Sequence, residues 1–424
     1  MGGESSILLQ VTGKGFNIFN QRKTKAIQLI GECKMINREY VKMLENKDII
    51  FELAAFANKR RAEVGPDNVF DFTLGSPSVP PPDAVHQALR ELLDEGDPFT
   101  MHRYTSEGGL PETRAKIAED LNDRFGSSFS AGNIFMTCAA NASLAHAMRA
   151  VTVPGDKILA FAPVFSEYEF YAKGAGCELV VVPADTENLG IDFDVTERML
   201  DSSISAVLIN SPNNPSGLVY DTETIKKLAE LLKQKSAELG KTIYLISDEP
   251  YREIVFSGTD SPFISNYYDN TIVCYSFSKS LSLPGERIGY VAVNPKAENA
   301  ELIVSMFGQI SRTSGHNGAP VIWQRVLAKV LPATSDVSVY EKNANLLYDA
   351  LTGYGFECVK PGGTFYMMPK IPGGDKDAFF KKALENDIIL VPGDGFLCPD
   401  HFRLAYCVPT DIVERSLERF GRLI

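Results

Sequence analysis

Apolar and polar positions change their spacing several times along the chain, and each change marks a different element. Between about 46 and 63, apolar residues recur at helical intervals (Ile49, Leu53, Phe56, Ala57), and the run stops at Gly65-Pro66-Asp67. Phe70 to Leu74 then reads as a short strand that breaks at Gly75-Ser76-Pro77. The middle of the chain alternates: β-rich runs at 134–137, 158–161, 179–183, 206–209, 243–247 and 272–275 are separated by helical stretches such as 142–151 and 222–239. That alternation predicts an α/β fold, a doubly wound and mostly parallel sheet with helices on both faces, in three layers. Ligands of such sheets sit at the carboxyl edge of the strands.

From 322 to 347 the pattern turns helical, with an interruption at Pro332, and the remainder mixes strands and helices. This change places a boundary near Pro332 and predicts three parts: an unassigned N-terminal extension over 1–40, a smaller α+β domain built from 41–75 and 333–424, and a large domain over 76–332. One continuous three-layer domain satisfies the same pattern. The length of 424 residues fits two or three domains.

Composition narrows the function classes. With 42 Lys and Arg against 54 Asp and Glu, the formal net charge is −12. A chain this acidic exerts no long-range pull on phosphate backbones or anionic lipid, so neither nucleic acid nor membrane is an expected partner. No stretch reaches the roughly 18 uncharged apolar residues of a membrane span. The seven cysteines are an odd number, scattered, without a Cys-x-x-Cys pair, which argues against a disulfide framework and for a reducing, cytoplasmic setting. The histidines, at 86, 102, 146, 316 and 401, show no ligand spacing, so no metal is expected.

Candidate chemistry gathers at the ends of three of the β-rich runs. Asn210-Ser211-Pro212-Asn213-Asn214-Pro215-Ser216-Gly217 follows the first, Ser247-Asp248-Glu249-Pro250-Tyr251 ends the second, and Ser276-Phe277-Ser278-Lys279 follows the third. A carboxylate, an amide, a phenol and a lysine thus meet on one sheet edge. Taken singly, these are a turn, a helix start and a solvated surface run. Together they suit one ligand. A lysine held out of water has a lowered pKa and forms an imine with an aldehyde; serines with Arg287 grip a phosphate; an aspartate keeps a heterocyclic nitrogen protonated. Pyridoxal 5'-phosphate has all three handles.

The stretch Ser276-Phe277-Ser278-Lys279-Ser280-Leu281-Ser282-Leu283-Pro284-Gly285-Glu286-Arg287-Ile288-Gly289 resembles the cofactor-attachment signature of the class I/II aminotransferases, fold type I pyridoxal-phosphate enzymes. The likeness runs in order from Phe72-Thr73-Leu74-Gly75 to Phe402-Arg403-Leu404-Ala405-Tyr406. It implies that 76–332 is the coenzyme-binding domain and that Lys279 is the Schiff-base lysine. Asp248 would face the pyridine nitrogen, and Tyr251 and Asn214 the ring's phenolic oxygen, although Tyr251 alone also suits a packed aromatic. Lys279, Asp248 and Tyr251 are the catalytic residues this resemblance implies.

The same resemblance assigns the phosphate to Ser276, Ser278 and Arg287, with the backbone of Ala139, Ala140 and Asn141 at a strand-to-helix passage as the other half of the grip. The commonest pattern of the family has glycine where Ala139 or Ala140 stands here. Phe165 would stack on the ring, and Tyr104 would reach the phosphate of a neighbouring subunit, which implies a homodimer with shared sites. Arg403 would bind the substrate α-carboxylate, with Gly75 beside it and Asn214 nearby. Tyr366 lies in a segment that lines the entrance in the family, and it suits core packing equally.

The implied reaction moves an amino group from an L-amino acid to a 2-oxo acid by a ping-pong Schiff-base route. A pyridoxal-phosphate carbon–sulfur β-lyase of the cystathionine type would use the same lysine. A regulator that borrowed the fold normally carries a DNA-binding module, and residues 1–40 show no helix-turn-helix. The donor and acceptor stay open. A dicarboxylate substrate needs a second cation, for which Arg312 is the candidate.

Overall fold

The computed structural model of the protein describes residues 37–43 and 49–424. The expected extension over 1–40 therefore lies almost wholly outside the described residues. A helix at Ile49–Val64 leads into a two-residue strand, β1 (Phe70–Asp71). The middle of the chain then supplies seven strands to one sheet: β2 (Ile134–Thr137), β3 (Lys157–Phe161), β4 (Glu178–Val182), β5 (Ile204–Asn210), β6 (Tyr244–Asp248), β7 (Thr271–Ser276) and β8 (Gly289–Val293). Their order is β2-β8-β7-β6-β5-β3-β4. β4, β3, β5, β6 and β7 run parallel, whereas β8 is antiparallel to both of its neighbours, β7 and β2. The sheet is thus mostly parallel, as its alternating pattern implies, with one reversed strand that the pattern did not separate.

Each central strand is apolar on both faces because both faces are covered. On β5, Ala206 and Leu208 pack with Ile158, Ala160 and Ile246, while Val207 and Ile209 pack the other way against Leu159 and Leu245. Two cores on opposite sides of one sheet give the three layers. The covering helices begin and end on local signals. The helix Thr222–Leu239 starts where the Asp221 carboxylate accepts from the Thr224 amide at 2.8 Å, and stops at Gly240, whose φ of 63° closes the last turn.

A second, smaller body of strands forms from distant segments: β9 (Tyr366–Met367), β10 (Ile388–Ile389), β11 (Val391–Pro392) and β12 (Phe402–Ala405). β12 lies between β11 and β9, antiparallel to each, and β1 pairs in parallel with β10. Helices Ser338–Tyr354 and Thr410–Gly421 pack behind them over a core that includes Phe72, Tyr340, Leu347, Phe402 and Phe420. The same core takes in Tyr251 and Ile254, from just beyond β6, so it reaches to the carboxyl edge of the large sheet. Among the described residues no helix is long and apolar enough to cross a membrane.

Candidate active site

Register decides what meets at that edge. Asn210, the last residue of β5, is level with Asp248, the last of β6, and Asp248 is level with Cys274 on β7. The Asn210 side-chain amide donates to the Asp248 carbonyl at 2.8 Å and its Oδ1 accepts from the Asn214 amide at 2.7 Å, which folds the loop back over the edge.

Asp248 is 4% exposed. Its Oδ2 accepts from the Tyr168 hydroxyl at 2.6 Å, and its Oδ1 is buried without a partner. Burial raises the carboxyl to about 7, with the Tyr168 hydrogen bond pulling it down and neighbouring Glu249 pushing it up. A buried acceptor with nothing to accept from is costly, so this oxygen is aimed at a donor that arrives from elsewhere.

Lys279 sits in the four-residue helix Phe277–Ser280, directly after β7. The Ser276 hydroxyl caps this turn, accepting from the Ser278 amide at 3.2 Å and donating to the Ser278 hydroxyl at 2.8 Å. Lys279 Nζ donates to the Gly75 carbonyl at 2.7 Å and stands 5.5 Å from the centre of the Phe365 ring. Although one side of Lys279 is open, crowding by the protein lowers its pKa to about 8; Cys407 opposes this, and the charges of Arg287 and Arg403 add to it. A substantial share of the amine is neutral near physiological pH, as a nucleophile or base requires.

Arg403, on β12, is 2% exposed. Its Nη2 donates to the Thr73 carbonyl at 2.6 Å and its Nη1 to Asn214 Oδ1 at 3.3 Å. The rings of Tyr366 and Phe396 each have its guanidinium carbon 4.8 Å from their centres. Its carbonyl support comes from Thr73, while Gly75 serves Lys279 instead. Tyr251, also buried, shares a 3.2 Å hydrogen bond with Tyr366. A Cβ at Gly75 would stand 1.7 Å from the Tyr366 hydroxyl, so that position has room only for glycine.

The candidate phosphate cradle is built at the passage from β2 into the helix Ala139–Val151. Cys138 caps this helix without a side-chain hydrogen bond, which leaves first-turn amides open to an incoming acceptor. Ala139 adopts φ 68°, a left-handed conformation that costs a non-glycine residue about 1–2 kcal/mol. Ala140 is buried and Asn141 exposed. Arg287 is exposed, with φ 52°, and donates to the Pro284 carbonyl at 2.9 Å, while its charge is felt at both Lys279 and Cys138. Phe165 is half-buried and edge-on to Tyr168, with ring centres 5.5 Å apart.

Two expected residues stand apart from this cluster. Tyr104 is fully exposed at 101%. Arg312 is exposed and lies 3.9 Å from the Glu107 carboxylate. Conversely, Tyr168 and Cys407 belong to the cluster although nothing local in the sequence marks them. Cys407 is buried, donates to the Leu74 carbonyl at 3.3 Å and is held up to about 12 by burial, against the pull of Lys279.

Residues 67–420 match the family model described as aminotransferase class I and II. The chain belongs to that family. The match spans every residue of the cluster, from Thr73 to Cys407. Two relatives are 28% identical to this aminotransferase: an aspartate aminotransferase from Thermotoga maritima, over 91% of this chain and 98% of its own, and an aspartate/prephenate aminotransferase from Thermus thermophilus, over 83% and 90%. A solved amino transferase from Eubacterium rectale is 45% identical and superposes with a TM-score of 0.90, covering 92% of this chain and 98% of its own. These relatives are transaminases, and nothing in them favours the β-lyase alternative.

Proposed function

We propose that this aminotransferase holds pyridoxal 5'-phosphate at the carboxyl edge of its large sheet and moves an amino group from an L-amino acid to a 2-oxo acid. The observation that carries the reading is the pair formed by Asp248, with one buried oxygen left without a donor, and Lys279, an amine whose pKa is lowered to about 8 on the adjacent strand end. The coenzyme supplies an aldehyde and a ring that draws electrons from the substrate α-carbon. Lys279 would anchor it covalently; Asp248, whose Oδ1 has no partner, would hold its ring nitrogen protonated, Tyr251 and Asn214 would serve its ring oxygen, and Phe165 would cover the ring.

Ser276, Ser278, Arg287 and the first-turn amides from Ala139 to Asn141 take its phosphate, as their chemistry and placement suit. Arg403 orients the substrate through its α-carboxylate, and its hold on Thr73 and Asn214 keeps the fork in place. Lys279, its amine lowered to about 8 and held by the Gly75 carbonyl, would be the base for the proton on the donor's α-carbon. The large body over 76–332 carries the coenzyme in this reading, and the segments 41–75 and 333–424 close the substrate side. Tyr104, exposed on the isolated chain, serves the phosphate of a second copy in a homodimer.

A panel of L-amino acids with 2-oxoglutarate and pyruvate tests this. Parallel lines in double-reciprocal plots for the best pair, the mark of a ping-pong route, are expected. Release of pyruvate and thiol from cystathionine without any oxo-acid acceptor would overturn the reading.

A further inference from the structure

We propose that Tyr366 is a positioning residue that ties the substrate-carboxylate arginine to the phenol serving the coenzyme's ring oxygen; this deepens the pyridoxal-phosphate reading and rests on it. Register brings the groups together. Tyr366 on β9 is directly opposite Ala405 on β12. Arg403 lies two residues from Ala405, on the same face of the strand, so the Tyr366 ring and the guanidinium are diagonal neighbours. Their separation of 4.8 Å lets the ring face attract the cation where little water competes.

The other end of the same side chain meets Tyr251, hydroxyl to hydroxyl at 3.2 Å, with both residues buried. Each phenol owns one proton. When Tyr251 donates to a ligand oxygen, its own oxygen is left to accept, and Tyr366 is placed to donate to it. A phenol that accepts one hydrogen bond donates the next more strongly, so Tyr366 strengthens the grip of Tyr251 on the ring oxygen. Burial keeps the Tyr366 proton in place well beyond physiological pH, at about 12. The side chain is also fixed: Gly75 admits no Cβ beneath its hydroxyl, and the Thr364 hydroxyl accepts from its amide at 3.1 Å. One rigid group therefore sets both the direction of Arg403 and the polarity of the Tyr251 hydrogen bond.

The two ends are separable by substitution. Tyr366→Phe keeps the ring and removes the proton, so Tyr251 donates less strongly and the ring oxygen binds its own proton more tightly. The pH midpoint of the visible absorbance change of the coenzyme-loaded protein is expected to rise by about half a unit. KM for the best amino donor should stay within about twofold of wild type. Tyr366→Leu removes both ends, and should raise KM roughly tenfold as well as shifting the midpoint. Melting temperatures are followed alongside, because leucine leaves a cavity; Tyr366→Phe preserves the packing and decides alone if the leucine variant fails to fold. A Tyr366→Phe midpoint equal to wild type overturns the coupling, as does a leucine variant that folds and keeps the wild-type KM. A wild-type protein that takes up no coenzyme and shows no visible band would instead overturn the underlying reading, so the two failures are distinct.

Discussion

Asp248 shows how much one residue's role depends on a partner far away in sequence. A buried carboxylate drifts toward its neutral form, yet the role proposed for Asp248, keeping a ring nitrogen protonated, requires the charged one. The Tyr168 hydroxyl, 80 residues earlier in the chain, offsets part of that drift with a 2.6 Å hydrogen bond. Asp248 itself was legible, because it closes an apolar run at a strand end. Tyr168 was not, because nothing local distinguishes a tyrosine that meets a carboxylate from one that merely packs.

The shift has a thermodynamic sign. With a folded value of about 7 against an ordinary carboxylate value near 4, the coenzyme-free native state holds more protons than the unfolded state between those limits. Its stability therefore falls as pH rises from about 4 to 7. Asp248→Asn removes this proton linkage. Thermal unfolding of the coenzyme-free proteins should show the wild type losing ground to the variant, by a few kcal/mol in total, between about pH 4 and 7. A difference that does not change with pH would refute the assignment.

At the scale of elements, local signals carried the reading as far as they reach. The helix Thr222–Leu239 was legible end to end because Asp221 and Gly240 cap it locally. The helix Ala139–Val151 begins three residues earlier than its apolar pattern suggests, since Cys138 offers no side-chain cap and Ala139 enters through a left-handed φ. β8 has no signal of its own in the sequence, because Gly289–Val293 follows directly on the lysine signature and a single reversed strand leaves no trace in spacing.

β8 also supports the cradle. A Cβ at Gly289 would stand 2.3 Å from the Tyr275 carbonyl and 2.9 Å from Ala139 Cα, both backbone atoms. Gly289→Ala must push β8 away from β7, or the helix start away from its place. We expect a loss of about 1–3 kcal/mol in thermal unfolding and a smaller stabilisation by added pyridoxal phosphate than in wild type. Unchanged melting and an unchanged response to the coenzyme would show that the helix start does not depend on this contact.

Across the whole molecule, the class of fold followed from the alternation of strands and helices, whereas its closure did not. β1 pairs with β10, and β12 carries Arg403 to Thr73, through contacts between early and late parts of the chain, while Asn214 reaches Arg403 from its middle. No periodicity encodes which distant segments will pair; only the finished packing around Phe72, Phe402 and Phe420 selects them. The site inherits this division: the strand-end residues Asp248 and Lys279 are legible as candidates, while the frame of Thr73, Tyr366 and Phe396 around Arg403 emerges only from the assembled fold. Tyr104, fully exposed on the isolated chain, would find its partner only in the proposed homodimer.

Every role proposed for the site depends on the amine at the end of β7. Borohydride treatment of the pyridoxal-phosphate-loaded protein, followed by peptide mapping by mass spectrometry, reads that amine out. One pyridoxyl adduct per chain is expected, on Lys279, and none after Lys279→Ala. An adduct on another lysine, or none in the wild type, would contradict it.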